Sequence, residues 1–137
     1  MSTQSRIGLR VDLYDGAYGK TLRIATRNPN GIVFLRSIFE ALAERKILSA
    51  VLDRDRGVYM KNCKAIILNV TEISEKPIEL IELKCDETGT TIVWGQPPDG
   101  WRRCCGLIDG LTKHGRGHQY LADMEPCPII IELSYRE

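Results

Sequence analysis

Two histidines and five cysteines are the residues of this 137-residue chain best suited to nucleophilic, general-base or metal chemistry. Both histidines fall in the run His114-Gly115-Arg116-Gly117-His118-Gln119-Tyr120, close in sequence to Cys104, Cys105 and Cys127. Four imidazole or thiolate ligands suffice for a tetrahedral zinc site, and a thiol beside an imidazole base makes an activated nucleophile. The spacing argues against both. Gly115 and Gly117 break any helix that would hold the two histidines on one side, and no two cysteines form a C-x-x-C pair. We therefore expect no metal, no cofactor and no catalytic residue. The competing reading is a small enzyme, or a ligand- or metal-binding protein, that uses the His114–His118 turn with Cys104 or Cys105. His114, His118, Gln119 and Tyr120 stand as the candidate functional turn. Its simplest form is a packed connection in which a buried His118 ring bonds to backbone or to a carboxylate.

Other chemistry leaves no trace. The glycines at 106, 110, 115 and 117 do not follow a strand and open a helix, as phosphate-binding loops require, and no G-x-S-x-G elbow occurs. Arg10, Tyr14, Tyr18 and Arg23 on the first hairpin are compatible with nucleic acid, but a net charge of +1 and few aromatics make that partner unexpected.

The elements that position these residues can be read from apolar period. Trp101, Cys104, Cys105, Ile108 and Leu111 mark one face of a helix over 99–113, with Asp99 suited to cap it and Gly115 to end it. Ile129, Ile131, Leu133 and Tyr135 alternate as a strand, which should lie inside a sheet because so apolar an edge would aggregate. The chain opens with a hairpin, Ile7 to Tyr14 and then Leu22 to Ile24. A helix over 31–46 follows the stop signal Asn28-Pro29-Asn30-Gly31. Short strands are expected at 48–52, 58–61 and 66–70, then a hairpin over 78–95 with a β-bulge where the apolar phase slips between Leu80 and Ile81. No internal repeat is visible. The elements add up to one α+β domain over 1–137, residues 1–5 disordered. We expect a two-layer sandwich with a mostly antiparallel sheet of about six or seven strands and two helices on one face.

Composition places the chain among globular proteins, with 43% hydrophobic and 27% charged residues. No apolar run is long enough to span a bilayer, no signal peptide is recognisable, and the odd cysteine count suits reduced core thiols. A cytoplasmic location is the expectation. Charge is segregated along the chain. Residues 1–64 carry twelve Lys/Arg against six Asp/Glu, residues 65–100 two against seven, and residues 101–137 five of each. Cross-strand pairing of these segments is one reading; separate basic and acidic faces is the other.

The order Ile92-Val93-Trp94, Trp101, Cys104, Leu107 to Leu111, Gly117-His118-Gln119-Tyr120-Leu121 and Ile131 to Glu137 resembles a group of small uncharacterised bacterial proteins. That group shares a C-terminal Trp, Gly-His-Gln-Tyr-Leu and Ser-Tyr-x-Glu pattern. The likeness covers roughly the last 45 residues and implies no activity. In size and style the chain is also similar to immunity proteins of bacterial toxin systems. These features together suggest a non-catalytic protein-binding module, toxin-neutralising in the immunity-like form. Its expected partner face is Glu75, Glu79, Glu82 and Glu87, its expected partner a basic protein such as a toxin, and neither membrane nor nucleic acid is expected to bind.

Overall fold

A computed structural model describes residues 7–71, 80–122 and 129–137, Leu80 by its backbone alone. The expectations for residues 1–5, for Glu75 and Glu79, and for Cys127 fall outside them.

The local signals form the elements they predict. Strands β1 (Leu9–Gly16) and β2 (Gly19–Thr26) make the opening hairpin, with Leu9, Val11, Leu13, Leu22 and Ile24 buried. Asn28 then caps helix α1 (Pro29–Ala43), its side-chain oxygen accepting from the Asn30 N–H at 2.9 Å, and Ile32, Leu35, Phe39 and Leu42 form the buried stripe. Strands β3 (Ser49–Asp53), β4 (Tyr59–Lys61), β5 (Ala65–Val70), β6 (Leu80–Asp86) and β7 (Gly89–Gln96) precede helix α2 (Pro98–His114). Gly115, at φ 96°, ends α2 as expected, but the N-cap is Pro97. Asp99 lies inside the first turn and pairs with Arg102 at 3.1 Å. The chain closes with β8 (Gly117–Ala122) and β9 (Ile130–Tyr135).

The α+β class and both helices are as read from sequence, and the strands divide between two mixed sheets. One runs β4-β1-β2-β9-β8 and the other β3-β5-β7-β6, so β9 lies inside its sheet. Sequence period could not separate the sheets, because the joints β2–β9 and β5–β7 are parallel pairings between distant segments. The bulge expected in β6 is absent: its register with β7 is unbroken from Leu80 to Asp86. A register shift occurs instead between Tyr120 and Ala122 of β8.

The topology contains an internal repeat that the sequence hides. Each half runs hairpin, helix, antiparallel pair, the first half's pair β3-β5 being interrupted by β4, and each half's first hairpin joins the other half's last pair: β1-β2 with β9-β8, and β6-β7 with β5-β3. Equivalent bonds hold the joints. The Arg136 N–H donates to Thr26 O and the Thr71 N–H to Gln96 O, both at 2.9 Å. Equivalent glycines follow: Gly31 abuts Thr26 and Gly100 abuts Gln96, each so closely that a Cβ would sit 2.4 Å from a side-chain oxygen. Neither half closes a core alone, since each sheet draws strands from both.

The helices pack on each other between contacts with both sheets, α1 against β2 and β5, α2 against β7 and β8. At their crossing Phe39, Trp94 and Trp101 are wholly buried with ring centroids 4.7 to 5.9 Å apart. Arg36 closes the outside of the helix pair with two bonds to Asp109, at 2.7 and 3.1 Å.

Candidate functional site

With both helices on the inner faces, the alternate residues of the five-stranded sheet point outward. Register assembles them into two rows crossing all five strands. One row is Tyr59, Arg10, Ala25, Ser134 and His118; the next is Lys61, Asp12, Arg23, Glu132 and Tyr120. The second row alternates in sign from Lys61 to Glu132, the arrangement that cross-strand pairing favours. Small side chains at Ala25 and Ser134 floor the face. Long ones wall it, leaving an open trough of about 940 Å³.

The centre of the face is a bonded network. Arg23 Nε donates to Ser134 Oγ at 3.1 Å, and both the Ser134 hydroxyl and the Tyr14 hydroxyl reach Glu132 at 3.5 Å. Burial first, and then the Glu132 charge, push the Tyr14 hydroxyl above its ordinary pKa of 10.0. Ser134 is 1% exposed although it lies on the outer side, because the longer chains close over it.

At the two ends of the trough the charges differ. Arg10 stands over the Tyr59 ring, 5.2 Å from its centroid, and Arg27 lines the same trough. Among the described residues neither guanidinium has a carboxylate partner. Four cations, Arg10, Arg23, Arg27 and Lys61, line the trough against two carboxylates, Asp12 and Glu137, so it carries a positive excess concentrated at the Arg10 end. At the other end the His118 ring meets Glu137, with Nδ1 3.0 and 3.1 Å from the two carboxylate oxygens. The bonded Glu137 charge raises the His118 pKa above 6.5.

The candidate turn is therefore rearranged. His114 ends α2, while His118, Gln119 and Tyr120 lie on β8, where Gly117 at φ 134° opens a strand and not a connection. The His118 side chain is 47% exposed, which corrects the expected burial; the carboxylate partner is present. Its ring packs edge-on to Tyr120, centroids 6.0 Å apart, and with His114 and Gln119 it rims a shallow hollow of about 440 Å³.

Cys104 and Cys105 do not join the histidines. They are buried on the inner side of α2, Cys104 accepting from the Gln96 amide at 3.5 Å and Cys105 lying against the Arg36 carbonyl at 3.9 Å. Burial raises the Cys105 thiol, and it raises Cys63 to about 11, so neither is an activated nucleophile. Cys85 is exposed, contrary to a uniform set of core thiols. Among the expected acidic residues, Glu82 and Glu87 are exposed on the β6–β7 hairpin. Lys84 reaches Glu82 at 3.9 Å, and Lys64 holds the neighbouring Asp86 at 2.8 Å.

Sequence reasoning missed Arg27, Lys61, Glu132, Ser134 and Glu137. Their signal was their place at alternate strand positions or strand ends, which only register could combine. Comparison with family models, curated proteins and solved structures finds no match. Fold and site together define an α+β two-sheet sandwich with one open charged face. No described helix is long and apolar enough to cross a membrane.

Proposed function

We propose that the chain acts in the bacterial cytoplasm as a non-catalytic module that binds another protein, receiving an acidic segment of it in the trough of the five-stranded sheet. One observation carries this. By register Lys61, Asp12, Arg23 and Glu132 alternate in sign across the face, whereas Arg10 and Arg27 line the same trough with no ion pair to a carboxylate among the described residues. A partner's carboxylates would meet the positive excess of the trough. Toxin neutralisation, for which binding alone suffices, is the biological role we propose.

This moves the partner surface from the acidic hairpin to the basic trough. Lysines already meet Glu82 and Asp86, which blunts the hairpin's charge.

The test is capture of a partner from nuclease-treated lysate at low and high salt, using wild type, Arg10→Glu/Arg27→Glu and Glu82→Lys/Glu87→Lys. The expected result is a protein held at low salt, weakened at least about tenfold by the trough variant and kept by the hairpin variant. Loss in the hairpin variant alone would return the site to the acidic face.

A further inference from the structure

At the end of the face away from Arg10, one imidazole and two carboxylates converge. A ring nitrogen of His118 and an oxygen from each of Glu132 and Glu137 all lie within 4.8 Å of one another. We propose that His118, Glu132 and Glu137 form a site for a divalent transition metal, zinc by preference, with three protein ligands and a further position open to solvent.

The ligand types suit such an ion. An imidazole nitrogen favours zinc and its neighbours over magnesium or calcium, and two carboxylates complete a three-ligand set of the kind that leaves one position for water or substrate. The set is not the one expected from sequence, because no cysteine belongs to it and His114 is not a member.

The backbone supplies two of the ligands in a fixed relation. In the β8–β9 ladder His118 faces Ser134 and Tyr120 faces Glu132, so His118 and Glu132 are diagonal neighbours on one side of the sheet. Glu137 arrives differently. Arg136 takes φ 56° with its N–H bonded to Thr26 O, and this left-handed step after β9 brings Glu137 back to His118.

Distances are close to those a metal needs. Ligand atoms about 2.0–2.2 Å from a zinc ion stand about 3–3.5 Å from one another in tetrahedral geometry. The His118–Glu137 separations of 3.0 and 3.1 Å are already there. Glu132 needs a rotation of its carboxylate by no more than about 1–2 Å to join them.

Outer contacts of the kind that orient metal ligands are also present. The Tyr14 and Ser134 hydroxyls reach the two oxygens of Glu132 at 3.5 Å, and Arg23 fixes Ser134 at 3.1 Å.

A plain ion pair explains His118 with Glu137. The second carboxylate, Glu132, also lies within 4.8 Å of that pair, and the three groups together are negative even with the imidazole protonated. Arg23, the nearby cation, bonds to Ser134 and among the described residues makes no ion pair with either glutamate. A dication would cancel the excess.

The experiment is a titration of the full chain, freed of metal by chelator, with Co²⁺ alone and then Zn²⁺ in competition. Visible absorption reports coordination, and thiolate-to-cobalt charge transfer reports cysteine ligation. Wild type should bind one ion without that charge-transfer band. His118→Ala and Glu132→Gln, each checked for native circular dichroism, should bind at least about tenfold more weakly, while Cys85→Ser binds as wild type. A charge-transfer band, loss of binding in Cys85→Ser, binding as tight as wild type by the His118 and Glu132 variants, or no stoichiometric binding in any chain would overturn the proposal. None of these outcomes bears on the Arg10 end of the trough, so the two readings fail separately.

Discussion

Three glycines of α2 should respond to alanine with opposite signs. Gly106 and Gly110 are exposed in the middle of the helix, and a Cβ built on either meets nothing within 4 Å. Alanine there gains the helix-propensity difference, about 0.8–1.0 kcal/mol each. Gly100 sits in the first turn against Gln96, where a Cβ would stand 2.4 Å from Oε1 and 2.9 Å from the Gln96 Cβ. The oxygen can swing aside, but the Cβ is fixed to the β7 backbone. Moving Gln96 also disturbs a buried amide that donates to Cys104. Overpacking of this kind costs about 1–3 kcal/mol, which outweighs the propensity gain. Gly100→Ala should therefore destabilise by about 1–2 kcal/mol while Gly106→Ala and Gly110→Ala stabilise. Gly31→Ala, whose Cβ would meet Thr26 Oγ1 at 2.4 Å and the Ile7 carbonyl at 3.0 Å, should behave like Gly100→Ala. Urea midpoints at constant m-value are the assay. A raised midpoint for Gly100→Ala, or a lowered one for Gly106→Ala, would refute the helix placement and the equivalence of the two strand-to-helix joints.

Phe39→Ala, at the meeting point of Trp94 and Trp101, should cost about 3–5 kcal/mol in urea unfolding. Breaking the exposed Arg36–Asp109 contact with Asp109→Ala should cost at most about 1 kcal/mol by the same measurement. In a Cys127→Ser chain, a thiol reagent should modify Cys85 at once and Cys63, Cys104 and Cys105 only on unfolding, read by mass spectrometry of timed samples. The Asp86 carboxylate accepts from Lys64 at 2.8 Å and from the Thr88 N–H at 2.7 Å, bonds that hold its pKa well below 3.8. Because the folded pKa is depressed, its stabilisation is full above about pH 4 and fades as pH falls further. Wild type and Asp86→Asn should thus differ in urea midpoint at pH 6, and the difference should begin to narrow only below about pH 4.

Local period carried most of the elements. The opening hairpin, the stripe Ile32, Leu35, Phe39, Leu42 and the final alternating strand each bury one side, and burial on one side writes the period into the chain. The division into two sheets was not legible, because β2–β9 and β5–β7 join residues far apart and a strand's sequence does not name its neighbour. Gly117 misled for a physical reason: glycine at positive φ serves both turns and strand starts, and here it opens β8. The repeat left one faint mark, Pro29-Asn30-Gly31-Ile32 beside Pro98-Asp99-Gly100-Trp101. Its partners Thr26 and Gln96 are chemically unlike, which concealed their shared position. At the site, His118, Tyr120, Arg10, Arg23 and Tyr14 were visible as residue types. Their assembly depended on register, so residues read as solvated proved to share one face.

The central claim is that the outer face of the five-stranded sheet is where this protein meets its partner. Amide chemical-shift perturbation on the isotope-labelled chain, titrated with the purified partner, tests it most directly. Shifts should centre on Arg10, Asp12, Arg23, Arg27 and Lys61, weaken with salt and be absent from Arg10→Glu/Arg27→Glu. Shifts confined to the β6–β7 hairpin around Glu82 and Glu87, with the rows of the five-stranded sheet unmoved, would contradict it.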